Sequence, residues 1–178
     1  MGGENLEVDA ESFDVVVSRV GLIYFPNQEK AVTGMQRALV PGGRLAAIVY
    51  GPAERNTFFS TPVSIIRRRA ELGPPPPGQP GPFSLSSREA VTNLYERAGF
   101  TQVQFEVVDA PLRLPRAEDC LNFERESFGA LHQMLSGLDD AGRKAAWDEV
   151  AAALRKFEGP NGFEGPCEMV IAVGTKPS

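Results

Sequence analysis

An α/β fold built around a parallel sheet is what this 178-residue sequence predicts, and three observations within residues 13–50 carry the prediction. Residues 13–18, FDVVVS, contain the β-branched run Val15, Val16, Val17. The run is too short for a helix and too apolar for a half-wet strand, so it reads as a strand buried on both faces. After a loop ending at Pro26, apolar residues recur every three to four positions at Ala31, Val32, Met35, Ala38 and Leu39, the stripe of an amphipathic helix. Pro41, Gly42 and Gly43 stop that helix, and residues 45–49, LAAIV, form a second apolar strand. Two buried strands bridged by a helix make the βαβ crossover of open α/β sheets, whose ligands sit beyond the carboxyl ends of the strands. Residues 18–24 and 50–52 are therefore the candidate site.

The elements after Tyr50 follow from similar signals. Residues 56–72 place Phe58, Phe59, Val63, Ile65 and Ile66 between polar positions, which predicts a partly exposed helix with Asn56 as its N-cap. Residues 73–82, GPPPPGQPGP, hold six of the fifteen prolines, so this stretch is a loop stiffened toward polyproline II. It reads either as a connection beside a lid or as a ligand for a proline-reading domain. Ser86 with Glu89 forms a capping box, Ala90, Val91, Leu94, Tyr95 and Ala98 supply a helical stripe, and Gly99 ends the helix. In residues 101–108, Val103, Phe105 and Val107 alternate with Gln102, Gln104 and Glu106, as in an edge strand with one wet face.

Two further amphipathic helices are predicted over residues 116–135 and 139–157, with Gly159 as the terminator of the second. The acidic start at Asp139 and Asp140 and the basic end at Arg155 and Lys156 complement the dipole of the second helix. Residues 167–173 form a last strand. The Gly159, Gly162, Gly165 spacing includes Pro160 and Pro166 and reads as turns rather than as a phosphate-binding loop.

Composition narrows the functional classes. A net charge of −5 argues against a general nucleic-acid or anionic-membrane binder. No apolar run is long enough to span a bilayer, and no signal peptide is present, so the sequence reads as cytoplasmic. The only basic run, Arg67, Arg68 and Arg69, points to different sides of a helix and reads as its solvated end. Cys120 and Cys167 lack a pairing pattern, and with a single histidine no metal site is expected. That histidine, His132, has the near-neutral pKa of a general base but lies on a helix where a surface or capping role serves as well. Trp147 reads as packing.

Residues 13–50 also carry a family resemblance. FDVVVSR, a helix ending in RALVPGGRL, a strand and then Gly51-Pro52 resemble the fourth strand, following helix and fifth strand of the class I S-adenosylmethionine-dependent methyltransferases. The type is the small-molecule one related to ubiquinone and menaquinone methyltransferases. YERAGFTQVQFEVVDAP resembles the family's passage into its sixth strand, and residues 167–176 its seventh, inserted antiparallel between the fifth and sixth. Gly3-Glu4-Asn5-Leu6 resembles the loop that contacts the adenine, with Gly2 where the family has an acid.

The resemblance implies the carboxyl-terminal part of a Rossmann-like methyltransferase fold, a mostly parallel sheet with an antiparallel last strand plus helical lid segments. It implies one partial domain over residues 1–178: core 13–50, lid segments 56–82 and 116–157, and last strands 101–108 and 167–173. No G-x-G occurs in the sequence, and the family's glycine-rich turn is not among these residues.

The implied cofactor is S-adenosylmethionine, bordered by Glu4, Ser18, Arg19 and Gly21, with Tyr24 facing a small-molecule acceptor. Arg19 would grip a carboxylate or make a structural ion pair, and Tyr24 would meet the acceptor or pack in the core. The implied function is methyl transfer by the full-length protein, with these 178 residues inactive alone. The alternative is a noncatalytic assembly module. Strand 13–18, deprived of a neighbour, would then pair with a second copy as a homodimer.

Overall fold

A computed structural model describes residues 3–76 and 79–178; Gly2, and Pro77 and Gly78 of the proline-rich stretch, lie outside the described residues. Thirteen elements follow in chain order: β1 Phe13–Arg19, α1 Gln28–Ala38, β2 Leu39–Tyr50, α2 Thr57–Arg69, α3 Arg88–Arg97, β3 Thr101–Asp109, β4 Leu112–Leu114, α4 Ala117–Ser127, α5 Gly129–Leu135, α6 Asp140–Leu154, β5 Glu158–Gly159, β6 Gly162–Gly165 and β7 Glu168–Thr175. They divide into two compact units. The first comprises residues 1–53, 76–109 and 168–178, and the second residues 54–75 and 110–167.

The first unit is an α/β layer on a four-stranded sheet of order β1-β2-β7-β3. β1 and β2 are parallel, with Ser18 opposite Ala47 and Arg19 opposite Ile48. β7 runs antiparallel between β2 and β3, as the resemblance implies. The α1 stripe is buried at Ala31, Val32, Met35 and Ala38, and Asn27 caps the helix by accepting from the Lys30 amide at 2.9 Å. Leu39 opens β2 instead of closing α1, and the Pro41-Gly42-Gly43 turn is absorbed into the strand, with Gly42 at φ +77°. Only glycine takes that conformation at no cost. The helix α3 is capped by Ser87, whose hydroxyl accepts from the Ala90 amide at 3.1 Å, a correction by one residue of the predicted Ser86 box. Its Tyr95 ring lies on Gly174 of β7, where an added Cβ would be 2.6 Å from Cδ2.

One expectation about β1 is reversed. Phe13, Val15 and Val17 are 45%, 54% and 66% exposed, because β1 is an edge strand with its outer face uncovered, whereas Val16 packs against the core. An apolar run reports a site that could be buried on both faces, not a neighbour that buries it. β3 is the other edge, as predicted; its alternation holds at Val103 and Phe105 and fails at Val107, which is exposed.

The second unit packs α2, α4, α5 and α6 with a small sheet of order β4-β6-β5 around Ile66, Cys120, Leu131, Leu135, Trp147, Val150, Leu154 and Phe163. It gathers residues from both segments read as lid, 56–82 and 116–157. The helix expected over 116–135 breaks at Phe128, whose φ −112° and ψ 80° leave helical space. Helix α6 ends at Leu154 in a 3-10 turn, and Gly159 and Gly162 shape a β5–β6 hairpin rather than a simple helix stop. Arg68 and Arg69 are not merely solvated: both bind Glu149, Arg69 at 2.7 Å, and hold its carboxyl below the ordinary value. Among the described residues no helix is long and apolar enough to cross a membrane.

Candidate functional site

The strand directions of the first unit bring four termini to one end of the sheet. β1 ends there at Arg19 and β2 at Tyr50, and because β7 is antiparallel it begins there at Glu168, beside the end of β3 at Asp109. This is the end at which open α/β sheets bind ligands.

β1 leaves the sheet abruptly. The Val20 amide still donates to the Ile48 carbonyl at 2.9 Å, but Val20 itself sits at φ +59°. A β-branched residue in the left-handed region costs on the order of 1–3 kcal/mol, a strain concentrated at binding and catalytic positions in proteins. Gly21 and a 3-10 turn over Leu22–Tyr24 follow at once, with Leu22 and Ile23 buried beneath. The Ser18 hydroxyl is buried and accepts from the Leu22 amide at 3.1 Å, so it fastens the turn; a Cβ on Gly21 would lie 3.6 Å from that oxygen. Arg19 is exposed at the strand's last position, and among the described residues it makes no ion pair. Tyr24 is half-exposed at the end of the turn, and partial burial raises its phenol above the ordinary value, so it remains a hydrogen-bond donor at neutral pH.

Ser18, Arg19, Gly21 and Tyr24 are thus gathered on seven consecutive residues. Glu4 comes to the far side of the same loop. Its carboxylate accepts from the Asn27 amide, Gly3 lies against the Phe25 ring, and Asn5 takes the Lys30 ammonium at 2.8 Å. The amino-terminal segment is folded onto the start of α1, with Glu4 serving the helix end.

Three sets of contacts were not foreseen, although Gly51 lies in the candidate segment 50–52. A Cβ on Gly51 would be 2.5 Å from Glu168 Oε1, and the Gly51 amide donates to the Glu168 carbonyl at 2.9 Å, so the strand ends of β2 and β7 are in close approach. Gln28 Nε2 donates to Ser84 Oγ at 2.9 Å and to the Ile23 carbonyl at 3.2 Å. The Gly81 amide also donates to the Ile23 carbonyl at 2.9 Å, and Phe83 faces Tyr50 with centroids 6.4 Å apart. The stretch after the proline-rich loop is thereby stitched to the β1 turn; nothing local in Gly81-Pro82-Phe83-Ser84 signals it. His132 belongs to the second unit, where its Nε2 is 2.7 Å from the Arg125 carbonyl and its ring 5.7 Å from Trp147. That contact bridges the α4–α5 break, the capping role foreseen as one of its two readings.

S-adenosylmethionine, the cofactor implied by the sequence resemblance, fits these residues in part. Arg19 offers an exposed fork for a carboxylate and Gly21 an unobstructed backbone, while Glu4 and Ser18 already hold neighbouring amides.

Comparison with known proteins agrees with this architecture. The family model described as a methyltransferase domain matches residues 1–47. No curated protein matches the chain. Among solved structures, a candidate methyltransferase of Bacillus halodurans, BH2331, is similar at 17% identity and TM-score 0.57, covering 99% of this chain and 75% of its own. The YcgJ protein of Bacillus subtilis is similar at 17% identity and TM-score 0.55, covering 99% and 69%. The MccD protein is similar at 11% identity and TM-score 0.52, covering 99% and 65%. The fold is that of the class I methyltransferases, Rossmann-like with an antiparallel last strand.

Proposed function

We propose that the protein to which this chain belongs transfers a methyl group from S-adenosylmethionine to a small-molecule acceptor, and that these 178 residues supply one wall of the donor site. The observation that carries the reading is the turn after β1, where strained Val20 presents Arg19 and Gly21 at the ligand-binding end of the sheet. A fold alone does not assign a function, so the weight rests on that turn.

S-adenosylmethionine supplies a methyl group activated on a sulfonium. This chain's part is binding and orientation, the main contributions that protein groups make to an in-line displacement. Arg19 pairs with the donor's carboxylate, Gly21 lets the ligand approach the backbone, and Ser18 keeps the turn in place from beneath. Glu4 holds the loop on its α1 side, where the adenine would lie. Tyr24, protonated at neutral pH, donates a hydrogen bond to the acceptor. No residue here is assigned as general base, and the glycine-rich turn is not in the sequence, so these 178 residues bind without turning over.

A second reading is favoured by one observation, the exposed edge and apolar outer face of β1 at Phe13, Val15 and Val17. Such an edge pairs with another strand, so the chain would act as an assembly module or homodimer. Titration with tritiated S-adenosylmethionine separates the two. Saturable binding in the micromolar range supports the donor site, and a self-associating chain with no saturable uptake supports assembly.

A further inference from the structure

We propose that the second unit carries a binding site for an amine with an apolar body, and that Glu124 is the acidic group that holds it. The proposal does not depend on the donor site, because all its residues lie in the second unit.

Helix α4 buries a stripe of Ala117, Cys120 and Glu124, spaced so that all three face the unit's core. Glu124 is 0% exposed, and among the described residues neither of its side-chain oxygens has a hydrogen-bond partner. The contrast within the unit is sharp. Glu149 holds two arginines, Glu158 accepts from the Ala117 amide at 2.7 Å, Glu164 pairs with Arg113 at 2.9 Å and Asp148 with Lys144 at 2.7 Å. Unlike these four, Glu124 is closed to water and unpaired among the described residues. The arginines at the two ends of α4 are engaged elsewhere: the Arg125 guanidinium lies 5.3 Å from the Trp147 ring centre, and Arg116 faces Glu118 and Asp119. Buried polar groups in folded proteins are otherwise satisfied, so this group calls for a partner from outside.

The chemistry of that partner follows from the surroundings. The residues flanking Glu124 in the chain lead to a ring cluster, Phe128 stacked near Phe59 with centroids 4.4 Å apart and edge-on to Phe123 at 5.6 Å. Phe123 is 39% exposed, which opens that cluster to solvent. Aromatic faces and a desolvated carboxyl are complementary to an ammonium on a hydrophobic body. Burial pushes the Glu124 carboxyl up to about 9, so it is a neutral acid at pH 7 in the free protein. Pairing with an alkylammonium therefore converts Glu124–COOH to the carboxylate and releases one proton to solvent.

The test is isothermal titration calorimetry with phenethylamine at pH 7 in two buffers of different ionisation enthalpy. The proposal expects saturable binding, release of about one proton per site, at least tenfold weaker binding to Glu124→Gln, and no binding of the neutral phenylacetamide. Trp147 emission checks that the variant is folded. Equal binding to Glu124→Gln, equal binding of phenylacetamide, or no saturable phenethylamine binding to the wild type would each overturn it. Glu124→Leu gives an independent readout: its thermal midpoint rises if the carboxyl is unpartnered in the free protein, and a fall would show that the group is already satisfied.

Discussion

Replacing Glu124 by Gln should change the slope of stability with pH more than stability at any one pH. The buried carboxyl has a folded-state pKa near 9 against an ordinary 4.5, so the native state binds more protons than the unfolded chain throughout that interval. Its contribution is therefore unchanged below pH 4.5 and declines as pH rises from 4.5 toward 9, by about 1.4 kcal/mol per pH unit at most. From pH 5 to pH 7 that is about 3 kcal/mol, a large share of the stability of a small unit. Glu149, lowered by its arginines, has the opposite sign, but its contribution is complete above pH 4.5 and is lost only in acid. Cys120 and Cys167 are raised from 9.0 and act only in alkali, which leaves pH 5–8 to Glu124. Trp147, the only tryptophan, lies in the second unit, so urea unfolding followed by its emission reports that unit. Wild type should lose midpoint steadily from pH 5 to 8 while Glu124→Gln stays nearly flat. Superimposable pH profiles, or a wild type that gains stability toward pH 8, would refute the account of Glu124.

Gly174→Ala should destabilise the first unit by about 1–3 kcal/mol in chemical denaturation, since its Cβ would be 2.6 Å from Tyr95 Cδ2 and 3.1 Å from Phe100 Cβ, both fully packed. Unchanged stability would mean that Tyr95 does not rest on β7. Val17→Lys should raise the monomer fraction in analytical sedimentation with little loss of folding, because Val17 is exposed on the β1 edge whereas Val16 faces the core. Purified residues 1–178 should transfer no methyl group from labelled S-adenosylmethionine to candidate acceptors, and any donor-dependent product would contradict the view that one wall of the site is insufficient.

The parts of this fold that could be read in advance are those with long or well-punctuated patterns. The β-branched run at 15–17, the α1 stripe and the Pro41-Gly42-Gly43 stop suffice for β1-α1-β2, because each signal is local and agrees with the next. The antiparallel place of β7 came only through family resemblance, since eight residues cannot announce their neighbours. The β4-β6-β5 sheet was missed because strands of two to four residues show no period. The break at Phe128 was missed because its cause is tertiary, the packing of Phe128 on Phe59 and the His132 contact with the Arg125 carbonyl. At the candidate site, position was legible from strand ends, but the left-handed Val20, the engagement of Ser18 and Glu4 with backbone amides, and the suture through Gln28 and Ser84 depend on contacts between segments distant in sequence.

Hydrogen–deuterium exchange of the chain with and without S-adenosylmethionine tests the central claim most directly, because it locates the donor as well as detecting it. The account predicts slowed exchange in peptides covering residues 18–27, which include Arg19, Gly21 and the Asn27 amide held by Glu4, with α6 unchanged. Arg19→Ala should reduce that protection at equal ligand concentration. Exchange in residues 18–27 that is indifferent to the donor, or protection confined to the second unit, would contradict the assignment of the β1 turn as a wall of the donor site.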